Sequence, residues 1–226
     1  QDEGGIVQDA ILIQSWFTPD YRQMIDLTRD RHAFYAKKHD MDYLPNDLTA
    51  SGITTGQKCY QDIKTIKSAL DKGYEFVINM DIDAIIWDLN RDLREACIDI
   101  RGVRFDAMRV KHVNIGITYI RNTEITRHFI KAWEAQAIGR QGSQFGSQNG
   151  FNIVTAQMGI PPLDPTWNYC YSQHKGIDKP AVRGYHDFIG FDYKMKAMRD
   201  DLDALENGVM LQQHRNLEGL YEWSRN

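Results

Sequence analysis

The run Phe76-Val-Ile-Asn-Met-Asp81-Ile-Asp83-Ala-Ile-Ile-Trp-Asp88 constrains this chain more than any other stretch. It is apolar and strand-like, and it delivers two carboxylates one residue apart. An extended backbone turns successive side chains to opposite faces, so Asp81 and Asp83 point the same way. Asp88, at odd spacing from Asp81, starts on the opposite face and belongs to the following turn. Two oxygen ligands at one strand end are too few to cage a hard cation, which would complete its shell with water and phosphate.

Ahead of this run the chain alternates. Asp9-Ala-Ile-Leu-Ile-Gln-Ser15-Trp16-Phe17 reads as a first strand, and Pro19 suits the opening turn of a helix. Met24, Ile25, Phe34 and Tyr35 lie among charges from Asp20 to about Asp40 in a helical pattern, and Met41-Asp-Tyr-Leu44 reads as a short strand ended by Pro45. Ile63, Ile66 and Leu70 recur at helical spacing, and Gly73 suits that helix's end. Strand, helix, strand, helix, strand implies an α/β fold with a parallel sheet, whose ligands bind beyond the carboxyl ends of the strands. The Asp pair lies there.

The second half is less regular. Val113-Asn114-Ile-Gly116-Ile-Thr-Tyr-Ile120 is another strand candidate, and Ile125, Phe129, Trp133 and Ala137 follow at spacing four. The Gly, Gln and Ser stretch from Gly139 to Gly150 reads as a mobile loop, and Gly159-Ile-Pro-Pro-Leu-Asp-Pro165 as irregular.

With 226 residues, 42% of them apolar and 26% charged, the chain can bury a real core as a single domain. A net charge of −4 and a pI of about 6.0 give no bulk electrostatic reason to expect nucleic acid as partner. Cys59, Cys97 and Cys170 are few, odd in number and far apart, so neither a disulfide framework nor a zinc ribbon is indicated. No apolar segment approaches the length of a membrane span, and the residues show no n-region and h-region of a signal peptide. The chain opens at Gln1, as an excised fragment would. The scarce cysteines favour the cytoplasm, with the Golgi lumen expected if this is an excised catalytic domain.

The order of these features resembles the GT-A fold of nucleotide-sugar glycosyltransferases: a nucleotide-binding α/β half, a hydrophobic strand ending in DxD, an NxG strand, a Gln-containing loop and a late His. Within that fold the chain is most similar to the retaining glycogenin-type enzymes and the galactosyl, xylosyl and mannosyl transferases of wall glycans. The resemblance spans roughly Ile11 to Met198. It implies a Rossmann-like three-layer fold with a mostly parallel central sheet. A nucleotide-binding half would cover about 8–95 and an acceptor-binding half about 100–226. The implied reaction is transfer of a hexose or pentose from a UDP- or GDP-sugar to a glycan or other hydroxyl acceptor, with retention.

Carried onto this chain, the resemblance makes Asp81 and Asp83 the metal ligands, and Asp81 also a donor contact. His186 in Gly184-Tyr-His186-Asp-Phe-Ile-Gly190 matches the third ligand and Lys194 a diphosphate contact; His174 and His214 compete with His186. Two carboxylates and an imidazole suit Mn²⁺, with Mg²⁺ as the alternative. Ser15, Trp16 and Phe17, at the end of the first strand, would bind the nucleoside, the aromatic faces by stacking. Lys58, Asn114 and Gly116 would contact the donor. Ser147-Gln148-Asn149-Gly150-Phe151-Asn152 resembles the DQDxxN run with both acids replaced, so a carboxylate nucleophile is absent there. Gln148 and Asn149 remain as catalytic candidates. Asn152, Asp164 and Trp167 are the acceptor-binding candidates, Trp167 as one of an alternating series with Tyr169 and Tyr171. If the enzyme inverts, Asp164 or Asp187 is the expected general base.

Two other classes compete. NMDIDAII is similar to the first motif of haloacid-dehalogenase phosphatases, but that motif lies on the opening strand and needs a distal acidic pair. Here two βα units precede it, and Asp200-Asp201 lies in a charged, helix-like tail. A non-catalytic carbohydrate-binding module of the same fold is the other. Sugar nucleotidyltransferases open with a Gly-rich phosphate loop, which is absent between Gln8 and Tyr21.

Overall fold

The computed structural model describes residues 8–49, 55–107, 110–140, 146–170, 174, 177, 179–186 and 190–207. Its elements run β1 (Ala10–Trp16), α1 (Arg22–Lys38), β2 (Met41–Asp47), α2 (Thr55–Asp71), β3 (Phe76–Met80), β4 (Ala84–Ile86), β5 (Ile100–Ala107), β6 (Val110–Arg121), α3 (Glu124–Ile138), α4 (Gly146–Met158), β7 (Val182–Gly184) and α5 (Phe191–Glu206). Five strands form one sheet in the order β2-β1-β3-β6-β5. β1 pairs parallel with both β2 and β3, whereas β6 is antiparallel to β3 and β5. Four of the five strands therefore point the same way. β4 and β7 form a second, two-stranded antiparallel sheet.

All seven residues of β1 are buried because both faces of the sheet are covered. On one face Ile63, Ile66 and Leu70 of α2 meet Ile11, Ile13 and Val77, alongside Phe129 and Trp133 of α3 and Phe151 of α4. On the other, Tyr35 and Ala36 of α1 pack with Leu12, Ile78 and the small sheet. A third cluster joins Met24 and Ile25 of α1 to Ile82, Ile85, Tyr185 and Met198 of α5. This is the α/β arrangement expected from the alternation, in the three layers that the resemblance implies. Gly73, at φ 98°, closes α2 in the left-handed backbone that glycine adopts without strain.

Three details differ from the sequence expectations. Pro45 does not end β2, which runs on to Asp47, because β2 is an edge strand where a missing N–H costs no ladder bond. The stretch from Gly139 to Gly150 is not all loop: α4 begins at Gly146. Gly150 serves helix packing instead, since a Cβ there would lie 3.1 Å from Gln136 Cβ and 3.4 Å from the Trp133 ring. β5 has no counterpart in the expected pattern, because Arg101, Arg104 and Asp106 break its apolar run. Among the described residues no helix is long and apolar enough to cross a membrane.

Candidate functional site

β3 ends at Met80, and the backbone leaves the sheet carrying Asp81. The Asp81 N–H donates to Gly116 O of β6 at 2.6 Å, the last tie between the strands. Ile82 then plunges into the α1–α5 cluster, and Asp83 O accepts from Tyr185 N–H at 2.8 Å. The two carboxylates thus stand half-buried at the carboxyl end of a parallel strand, next to the point where the sheet turns antiparallel.

A buried relay beneath α1 holds this turn. His32 and Gln14 are both fully buried. Burial, reinforced by the neighbouring Arg31 cation, lowers the His32 pKa to about 3, so the ring is neutral. Its Nε2 accepts from Ile86 N–H at 3.2 Å, so Nδ1 carries the proton and donates to Gln14 Oε1 at 2.8 Å. Gln14 Nε2 in turn donates to Asp81 O at 3.4 Å. Arg31 donates to Ile86 O at 2.7 Å and to Trp87 O at 2.8 Å, fixing the strand that follows. Sequence reading missed this relay; a Gln inside an apolar strand opposite a helical His was its only signal.

Charge at the site is balanced from α5. Lys194, in the first turn of that helix, forms an ion pair with the Asp83 carboxylate. Burial works to lower the Lys194 pKa, but Asp83, with smaller contributions from Tyr21 and Asp81, holds it above the ordinary lysine value. Asn114 Oδ1 accepts from Gly116 N–H at 2.8 Å and from Asn168 Nδ2 at 3.2 Å. A Cβ at Gly116 would lie 2.8 Å from Asn114 Oδ1, 3.4 Å from Asp81 Oδ2 and 3.7 Å from His186 Nδ1. The missing side chain therefore leaves a cradle walled by an amide, a carboxylate and an imidazole.

The structure thus brings together Asp81, Asp83, Asn114, Gly116, His186 and Lys194. Phe17 stands edge-on to Tyr21 at 5.8 Å, and Tyr21, which acts electrostatically on Lys194, stacks on Phe191 at 6.3 Å. Among the described residues no three His, Cys, Asp or Glu side chains converge as a metal-binding group; the Asp83 carboxylate pairs with Lys194.

Other candidates are placed differently. Trp16 is 4% exposed and packs with Met24 and Ile82, so its ring faces the core rather than a base. Ser15 is buried, its Oγ accepting from Asn46 Nδ2 at 3.1 Å. Trp167 is also buried, with the Arg91 guanidinium 3.8 Å above its ring and Tyr119 edge-on, and Tyr169 is buried beside it. Neither offers a face for a sugar, because the aromatic series is core; Tyr171 lies outside the described residues. Asp164 caps a 3₁₀ turn by accepting from Thr166 N–H at 2.9 Å, and the Thr166 hydrogen bonds hold its pKa below the usual carboxylate value.

Asn152 is committed to the scaffold. Its Oδ1 accepts from Val113 N–H at 2.6 Å, and its Nδ2 donates to Val113 O and Gln148 O. Gln148 is half-buried and Asn149 exposed, both on α4. His174 Nδ1 accepts from Cys170 N–H at 3.1 Å. Lys58 belongs to α2, with its side chain outside the described residues, as are Asp187 and His214. The distal acids of the phosphatase alternative are engaged elsewhere, Asp200 with Lys196 at 2.9 Å and Asp201 with Arg183 at 3.1 Å.

The chain matches no family model and no curated protein. Among solved structures 133 chains match, so the fold is widely shared and does not by itself define a reaction. One of these is a glycosyltransferase involved in the glycosylation of the major capsid of PBCV-1, with a TM-score of 0.59 and 11% sequence identity. The match covers 84% of this chain and 98% of that one. The likeness is one of fold: the chain shares the α/β arrangement of that structure.

Proposed function

We propose that this chain is a glycosyltransferase, acting as one catalytic domain that moves a sugar from a nucleoside-diphosphate donor to a carbohydrate hydroxyl. The observation that carries this is the Asp81-Ile82-Asp83 turn at the carboxyl end of β3, balanced by Lys194 and facing the Gly116 cradle. The solved glycosyltransferase of the same fold supports it.

The donor set suits a divalent ion. Asp81 and His186 both border the space that a Cβ on Gly116 would fill, and a carboxylate with an imidazole favours Mn²⁺ over Mg²⁺. Asp81, Asp83 and His186 would hold it, Asp83 after parting from Lys194. Such an ion, when bound, would supply positive charge against the negative charge growing on the departing nucleoside diphosphate, the task a general acid performs in a glycosidase.

The chain's own residues do the rest. Lys194 brings a permanent cation to the same leaving group. The His32–Gln14 relay and the Asn114–Asn168 pair hold Asp81 and Gly116 in place before substrate arrives, so little reorganisation is needed on binding. Phe17 and Tyr21 offer aromatic surface to the base of a UDP- or GDP-sugar. Gln148 and Asn149 on α4 would bond sugar hydroxyls, and without a carboxylate at either position retention would proceed without a covalent intermediate there.

Calorimetric titration of a panel of nucleotide sugars, with and without Mn²⁺, tests this on the wild type and on Asp83→Asn. Mn²⁺-dependent binding of one nucleotide class, lost in the variant, is expected. Absence of binding to every donor refutes the proposal. Hydrolysis or transfer of the bound donor separates an enzyme from a binding module.

A further inference from the structure

Cys170 plays no part in the function proposed above, yet it sits beside the site. It is 1% exposed and ends a segment that lies along β7, where Tyr169 N–H donates to Val182 O and Gly184 N–H to Tyr169 O, both at 2.9 Å. That pairing puts its Sγ 2.9 Å from His186 Nε2, 4.0 Å from His186 Nδ1 and 3.6 Å from Asn168 O.

A thiol has one proton to give. Directed at the Asn168 carbonyl, it leaves the sulfur to accept from His186 Nε2–H. The imidazole then carries its lone pair on Nδ1, the nitrogen 3.7 Å from the missing Cβ of Gly116, where Asp81 Oδ2 stands at 3.4 Å. A separate observation points to the same place. Asn168 Oδ1 is buried and accepts no hydrogen bond among the described residues, and it lies 2.7 Å from the missing Cβ of Gly184, the point that His186 Nδ1 approaches to 2.9 Å. A buried carbonyl oxygen left without a donor marks a spot where a ligand completes the structure.

We propose that Cys170 is a positioning residue: its sulfur fixes His186 as the Nε2–H tautomer and presents the Nδ1 lone pair toward Asp81 and a divalent cation. This rests on the reading of Asp81 and His186 as a metal site. A partner on the second ring nitrogen is the usual device for orienting a metal-binding imidazole, and removing it weakens metal binding about 10- to 100-fold.

The experiment has a metal-free and a metal-bound arm. In ¹⁵N-histidine spectra of the metal-free protein, above the histidine titration range, His186 gives the Nε2–H pattern in wild type and loses it in Cys170→Ala. Mn²⁺ titration followed by electron paramagnetic resonance gives about 10- to 100-fold weaker binding in Cys170→Ala, largely restored in Cys170→Ser, whose hydroxyl can both give and accept a proton. Cys170→Ser also serves if the alanine variant fails to fold. An Nδ1–H pattern in wild type, an unchanged tautomer in Cys170→Ala, or unchanged Mn²⁺ affinity there overturns the proposal. Failure of the wild type to bind Mn²⁺ at all would instead overturn the metal-site reading, and the tautomer would still decide what Cys170 does.

Discussion

Replacing Asp201 by Ala strikes the buried ion pair that ties α5 to β7. Arg183 and Asp201 are 0% and 1% exposed, Nε to Oδ2 is 3.1 Å, and the Tyr185 hydroxyl also donates to Oδ2. The guanidinium lies 4.9 Å from the Tyr185 ring centre and 5.7 Å from that of Tyr169, so it is packed among aromatic rings away from bulk solvent. Breaking such a pair costs about 3–5 kcal/mol, because the Arg183 charge stays buried after its carboxylate is removed. The stranded Tyr185 hydroxyl adds about 1 kcal/mol. Against a total stability of about 5–15 kcal/mol this is a large fraction. Urea unfolding followed by tryptophan fluorescence should show the midpoint falling by roughly 1–2 M at a slope near 3 kcal/mol per M. The double replacement Arg183→Met with Asp201→Leu should recover most of the loss, since a hydrophobic pair of similar volume removes both desolvation costs. A single variant that loses under about 1 kcal/mol, or a double variant as unstable as the single, would refute the reasoning. Tyr185 N–H also holds Asp83 O, so donor binding by the single variant should weaken with its stability.

Three further outcomes follow from the geometry. Between pH 6.5 and about 3 the unfolded chain takes up a proton on His32 that the folded chain refuses; stability should therefore fall by about 1.4 kcal/mol per pH unit as pH drops through that window, and His32→Asn should flatten the denaturation profile there. Gly116→Ala places a methyl 2.8 Å from Asn114 Oδ1 and 3.4 Å from Asp81 Oδ2, so calorimetry should find Mn²⁺-dependent donor binding down at least about 10-fold, and the displaced Asn114 amide should cost about 1–3 kcal/mol, read as a lower melting temperature. Lys194→Met removes the cation that occupies Asp83, so Mn²⁺ should bind more tightly without donor while nucleotide-sugar binding weakens; weaker Mn²⁺ binding would contradict a competition between lysine and metal.

Local periodicity explains what was legible in the residues. Ile63, Ile66 and Leu70 face one way only in a helix, and the run from Phe76 to Met80 suits only a strand covered on both sides. The alternation, the parallel half of the sheet and the placement of Asp81 and Asp83 beyond a strand end all follow from those short-range patterns. β5 was illegible because charges interrupt its run, and α4 because its Gly and Ser, loop residues by composition, are chosen here for close approach to α3. Burial likewise went unread: nothing local distinguishes a Trp16 that stacks on a ligand from one that fills the α1–α5 cluster, or a Trp167 that meets a sugar from one beneath Arg91.

The sequence by itself determined β1, α1, β2, α2, β3, β6, α3 and the pair of acids, because each is a matter of side chains a few residues apart. Only the tertiary structure decided what surrounds those acids. The antiparallel return of β6 brings Gly116 and Asn114 to Asp81, the β4–β7 pairing brings His186 and Cys170, and α5 brings Lys194 from 111 residues away. These neighbours are set by which apolar faces find each other across the sheet, and that information is spread over the whole core.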